Sequence, residues 1–203
     1  MSTSVASHHS DYTGAKIGMW LFLFTEILLF GGLFLLYAVY RAKSPAEFHE
    51  ATKHLHLALG LSNTLILLTS SLTAALSVSA IRRGQKYWAL WGIGVTVVLA
   101  LAFLVNKYFE WKEHIGNGMF PGSPALTSLS HGENLFFGLY YTMTGLHGVH
   151  VLAGAALLCV VYVFVNREKV NQHSYSLLEN ACLFWHLVDL IWIYLFPLFY
   201  LVT

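Results

Sequence analysis

The sequence predicts an all-α membrane protein, a single domain over residues 1–203 that crosses the bilayer five times. Three observations carry that expectation. Apolar residues make up 57% of the chain and charged residues only 10%, with a mean hydropathy of +0.61, far from the profile of a water-soluble domain. Five apolar runs are each long enough for a bilayer, which takes about 20 helical residues per crossing. Short polar segments carrying Gly, Pro or basic residues separate them, and such segments end helices and stay in water.

Residues 17–40 form the first expected helix, apolar apart from Thr25 and Glu26 and bounded by Lys16 and Arg41. A polar linker of mixed charge follows to about Lys53. Its Ser44 and Pro45 end the helix, because proline disfavours helical geometry in the residue before it. The second helix covers residues 57–80. Arg82, Arg83, Gly84, Gln85 and Lys86 make a tight basic turn, after which Tyr87 and Trp88 stand where aromatic rings anchor a helix at the membrane surface. They open the third helix, residues 87–111. From His114 to about His131 the chain is rich in Gly, Pro, Ser and Asn and reads as an exposed loop. The fourth helix covers residues 133–165, and after a polar link at residues 166–175 the fifth covers residues 177–201.

Five crossings put the termini on opposite sides. With the N-terminus cytoplasmic, the inner segments hold Lys16, Arg82, Arg83, Lys86, Arg167 and Lys169, against Arg41, Lys43, Lys53, Lys107 and Lys112 outside. The excess of basic residues inside favours this orientation, with the C-terminus on the outer side. A net charge of +1 with scattered Lys and Arg offers no basic face for nucleic acid. Cys159 and Cys182 stand alone in apolar runs, with no spacing for a disulfide framework or a zinc site. Residues 1–13 are polar and lack the basic start and cleavage site of a signal peptide, so the first helix is expected to stay in the mature protein.

Polar residues inside the spans carry the functional reading. An acid at the centre of a membrane helix costs about 2.5 to 3.5 kcal/mol, so it faces protein or water and often marks function. Glu26 sits in the middle of the first run and must be protonated, paired or wetted. It reads equally as a proton donor or acceptor and as a neutral acid bonded to a neighbouring helix. Glu110 stands near the end of the third run. His147 and His150 share a face of the fourth, and His186 and Asp189 share a face of the fifth, each pair three residues apart. A haem anchor would take a histidine of the fourth helix with His186 as axial ligands, and a metal site would add a carboxylate. A structural network pairing histidines with Glu110 or Asp189 needs no added species and is preferred. On the second helix, Asn63, Ser70, Thr73, Ala74 and Ser77 form a small and polar stripe suited to close helix approach, as do Gly145, Gly148 and Gly154 on the fourth.

These segments resemble subunit III of the haem-copper oxidases. The likeness rests on Lys16 to Trp20 with Phe24, Thr25, Glu26, Ile27 and Leu28; on Asn63, Thr64 and Leu67 to Thr73; and on Tyr108, Phe109, Glu110 and Trp111. Thr144 to Val151 follow, then Trp185, His186, Leu187, Val188, Asp189 and Trp192. It covers nearly the whole chain after Thr13 and corresponds to the five-helix bacterial form.

The resemblance implies a V-shaped bundle in which helices one and two splay from helices three to five around a phospholipid-filled cleft. It implies no redox centre in this chain, haem and copper being held by the partner, catalytic subunit I. The role implied is to support proton uptake and stability of that subunit in a proton-pumping cytochrome c oxidase of a prokaryotic cell membrane. Glu26 matches the buried glutamate that carbodiimides modify in relatives. Where many relatives carry an acid three residues before Glu110, this chain has Lys107. The accessory subunit of nitric oxide reductase and subunit III of quinol oxidases are similar enough to stand as alternatives. An independent carrier or cytochrome b anchor is the alternative from another class.

Overall fold

Each apolar run folds as one long helix in the computed structural model, which describes residues 3–127 and 130–201. The helices are α1 (Thr3–Lys43), α2 (Pro45–Thr52), α3 (Leu57–Arg82), α4 (Lys86–Gly116), α5 (Pro124–Thr127), α6 (His131–Asn166) and α7 (Ser176–Phe196), closed by a π-helical turn at Pro197–Leu201. Five segments are long and apolar enough to cross a membrane: Gly14–Lys43, Leu57–Arg82, Lys86–Gly116, His131–Asn166 and Ser176–Leu201. The five expected spans are all present, and the described residues contain no sheet. Met1, Ser2, Val202 and Thr203 lie outside the described residues, as do Ser128 and Leu129 of the expected loop.

Local chemistry sets the ends. Gly84 closes the basic turn at φ +73°, a left-handed geometry that other residues avoid. A capping box starts α6: the Ser130 hydroxyl accepts from the Glu133 amide and the Glu133 carboxylate accepts from the Ser130 amide. The linker expected after the first span is helical instead. Pro45 is pre-set for a first helical turn, and Phe48, Ala51 and Thr52 fall on one face that the bundle buries. Phe48 packs edge-on against Tyr37, 5.4 Å away, and Phe136, 5.5 Å away, and the Glu47 carboxylate accepts from the Gly132 amide at the start of α6. On the exposed side of α2, Lys53 lies 2.7 Å from Glu50 and holds that carboxyl below its ordinary range.

The two-plus-three V is not the observed grouping. The closest partner of α3 is α4, and α3 also packs on α7, whereas α1 lies against α6 and α7 and shares little surface with α3. The reason is the small and polar stripe. Asn63, Ser70, Ala74 and Ser77 are buried, and a Cβ added to Gly92 of α4 would stand 3.0 Å from both Ser77 Cβ and the Thr73 carbonyl. Hydroxyls of Thr73 and Thr96 meet at 2.8 Å, and Asn106 donates to Asn63 at 3.1 Å. Such small-residue interfaces let membrane helices approach closely. α1 carries Gly18, Thr25 and Gly32 at the same seven-residue spacing, but a Cβ added to Gly18 or Gly32 would meet nothing within 4 Å, and only 11% of the helix's most apolar window is buried, against 56% for the last span.

On α6 the glycines divide. Gly154 sits under Trp185, where a Cβ would come within 2.8 Å of the indole, and Gly145 sits under Trp111, but Gly148 faces open space and packs nothing.

Candidate functional site

The polar residues of the spans gather in three places. The first joins α1 to α6. Glu26 Oε2 and His150 Nε2 are 2.8 Å apart, with side chains 13% and 14% exposed, and the imidazole stands edge-on to Phe30. His150 Nδ1 lies 2.8 Å from the Leu146 carbonyl, which only accepts, so Nδ1 carries a hydrogen. Nε2 then either accepts from a protonated Glu26 or donates to an ionised one. One proton is shared between the two groups in either state. With both ring nitrogens engaged, His150 has none left for a haem iron.

The second place ties α4, α6 and the terminal π-turn together. Lys107 Nζ is 3.1 Å from Glu110 Oε2, 2.9 Å from Tyr140 Oη and 3.0 Å from Tyr200 Oη, so its three hydrogens all have acceptors. Glu110 Oε1 accepts from Tyr140 at 2.7 Å and from Tyr200. The ammonium also faces the rings of Tyr140 and Trp192 at 4.7 and 5.3 Å. Buried charge is tolerated only when paired and hydrogen-bonded to this extent. Toward the membrane face, His114 stands edge-on to Tyr140 and stacks on His56, whose imidazole is 3.2 Å from the exposed Glu113.

The third place joins α7 to α3. His186 Nδ1 is 2.7 Å from Ser71 Oγ, and the Asp189 carboxyl, one turn deeper, lies beside the same serine without a well-formed hydrogen bond at either oxygen. Trp185 and Trp192 of α7 reach Ser70 and Thr64 of α3, each at 3.1 Å.

Thus the residues singled out from the sequence do not meet as one network within α4, α6 and α7. Glu110 bridges α4 and α6, but His150 turns to α1 and His186 to α3. His147 is fully buried between Phe103 and Trp192, with no hydrogen-bond partner for either nitrogen. Sequence reasoning missed Tyr140, Tyr200 and Ser71 as partners. The spacing of Lys107 and Glu110, three apart on one helix face, was the one available signal for their pairing. Among the described residues, no three or more His, Cys, Asp or Glu side chains are grouped so as to hold a metal ion.

Comparison with known proteins covers all of these segments. The family described as Cytochrome c oxidase subunit III matches residues 2–203. The chain belongs to the cytochrome c oxidase subunit III family. It is 34% identical over 195 residues to cytochrome c oxidase subunit 3 of Synechocystis sp., covering 96% of this chain and 78% of that one. It is 30% identical to the cytochrome bo(3) ubiquinol oxidase subunit 3 of Pseudomonas aeruginosa, covering 96% and 88%. The heme-copper oxidase subunit I+III of Aeropyrum pernix is also 30% identical, over 92% of this chain and 22% of that longer one. As a subunit III, the chain is one component of a haem-copper oxidase complex.

Proposed function

We propose that this subunit III packs on the catalytic subunit I of a proton-pumping oxidase that reduces oxygen to water, and keeps that subunit supplied with protons and stable during turnover. The observation that carries the reading is the family match over residues 2–203, together with a relative whose printed name joins subunits I and III. The buried groups suit a supporting role. Lys107, Glu110, Tyr140 and Tyr200 satisfy one another, and the Glu26–His150 pair sits at an α1–α6 seam with both side chains partly exposed. On this reading Glu26 is the functional acid, Glu110, His147, His150, His186 and Asp189 hold the bundle in shape, and the redox groups reside in the partner.

Phospholipid fits a different groove from the V cleft, the apolar one between α4 and α6. Its volume is about 530 Å³, and Tyr87, Trp91, Val95, Val98 and Tyr162 line it. The N-terminus is cytoplasmic and the C-terminus outside in a prokaryotic cell membrane. Support for that orientation strengthens once Lys107 is seen to be buried rather than in an outer segment, leaving six basic residues inside against four outside.

Purification of the tagged chain from its native membranes, followed by a reduced-minus-oxidised spectrum, tests the assignment. Recovery with a haem-copper oxidase that consumes oxygen is the expected result. Recovery with a nitric oxide reductase, or a haem spectrum from the isolated chain, would overturn it. The quinol oxidase reading, which the Pseudomonas relative favours, is separated in the same preparation by supplying cytochrome c or quinol as the donor.

A further inference from the structure

A cleft of about 470 Å³ opens between α1, α3 and α7, lined from Lys16, Arg82 and Glu179 to His186, one turn of α7 before Asp189. Lys16, Arg82 and Glu179 stand at its mouth, with the Glu179 carboxylate 3.6 Å from Lys16 and bonded to Arg82. Ser79, Cys182 and His186 lie further in. At 1.5 Å of rise per residue, His186 is about 10 Å deeper than Glu179, and Asp189 about 15 Å deeper, near the middle of a hydrocarbon core of about 30 Å. Glu179 already holds both cations of the mouth, so the entrance is poorly suited to an anionic headgroup and well suited to water and protons.

We propose that this cleft and the His186, Ser71, Asp189 series form a proton-binding branch, in which Asp189 is the terminal acid and exchanges its proton with the aqueous face of Lys16, Arg82 and Glu179. Ser71 Oγ is 2.7 Å from His186 Nδ1, His186 lines the cleft, and Asp189 lies three residues further along the same face of α7 with both oxygens unpartnered, so the Ser71 hydroxyl has only to turn toward it to complete a short relay. A proton arriving from water binds His186 Nε2. The Nδ1 hydrogen passes to Ser71 Oγ as the hydroxyl's own hydrogen passes to an Asp189 oxygen, leaving a neutral imidazole and a neutral carboxylic acid. Return of the proton runs the same bonds backwards. The groups that face the branch are Lys16 from α1, Ser71 and Arg82 from α3, and Glu179, His186 and Asp189 from α7. Asp189 is 3% exposed and both its oxygens lack well-formed hydrogen bonds, the setting in which a membrane acid carries its proton.

Infrared difference spectroscopy on the full chain, as purified with its partners, tests this directly. A carboxylic-acid C=O band between about 1700 and 1760 cm⁻¹ should be present in the parent and absent in Asp189→Asn. On transfer to D₂O the band should shift, and His186→Phe should slow that shift at least tenfold with the band itself retained. Ser71→Ala should slow it as well. Three results would overturn the proposal: no band assignable to Asp189, a band that does not exchange in the parent, or exchange equally fast in His186→Phe. Retention of the band in His186→Phe reports that the variant is folded around Asp189.

Discussion

Removing the Lys107 ammonium while keeping Glu110 isolates the energetics of the cluster that fastens the C-terminal turn. In Lys107→Met the thioether fills much of the same volume among Tyr140, Trp192 and Tyr200, but Glu110 loses the ammonium bonded to it. Breaking one side of a buried pair costs about 3 to 5 kcal/mol. Glu110 keeps both phenol donors, which places the loss at the lower end, about 3 kcal/mol. For a domain of this length each kcal/mol moves Tm by roughly 2 to 4 °C, so the variant should melt about 6 to 12 °C lower. A thiol-reactive dye supplies the assay. Cys182 is buried and reacts on unfolding, while the exposed Cys159 is removed as Cys159→Ser to lower the background. Lys107→Met with Glu110→Gln should regain at least half of the loss, because a neutral amide oxygen still accepts from the tyrosines. A single Lys107→Met variant melting within about 2 °C of its parent would refute the reasoning.

Three further outcomes are expected. Gly154→Leu drives a side chain into Trp185, whereas Gly148→Leu projects into open space, so the first should lower Tm by several degrees and the second should leave it unchanged. Tyr37→Phe removes the hydroxyl that donates at 2.8 Å to the Leu198 carbonyl of the π-turn, a loss of about 1 kcal/mol readable in the same melt. Glu26→Ala removes the α1 partner of His150 and leaves Phe30 packed against the imidazole. Complex assembly should persist while the number of turnovers before inactivation falls, as followed with an oxygen electrode; unchanged lifetime and bound lipid would count against a functional Glu26.

The five spans could be read in advance because length and hydropathy alone decide what can lie in a bilayer. Helix α2 was hidden for the opposite reason. In Pro45–Thr52 three residues are buried, too few to outweigh Glu47, His49 and Glu50 in any average of polarity. The grouping of the helices followed from the stripe of Asn63, Ser70 and Ser77, whose meaning as close-approach surface was legible. The sequence could not say that α4 rather than α1 would fill it, since Gly92 and Thr96 of α4 are matched by Gly18, Thr25 and Gly32 of α1. Acids and histidines stood out one by one against the apolar background. Their partners did not, because Ser71, Tyr140 and Tyr200 are ordinary residues in membrane helices and become informative only when α3, α6 and the π-turn bring them to within hydrogen-bond distance.

Turnover of the catalytic core with and without this subunit is the most direct measurement of the central claim. Stripped of the chain, the core should retain its full haem spectrum and a comparable initial rate of oxygen consumption, then inactivate after fewer turnovers, and re-addition of the chain should restore its lifetime. Loss of a haem or copper signal on removal would place a redox centre in this subunit, and an unchanged lifetime would remove its supporting role.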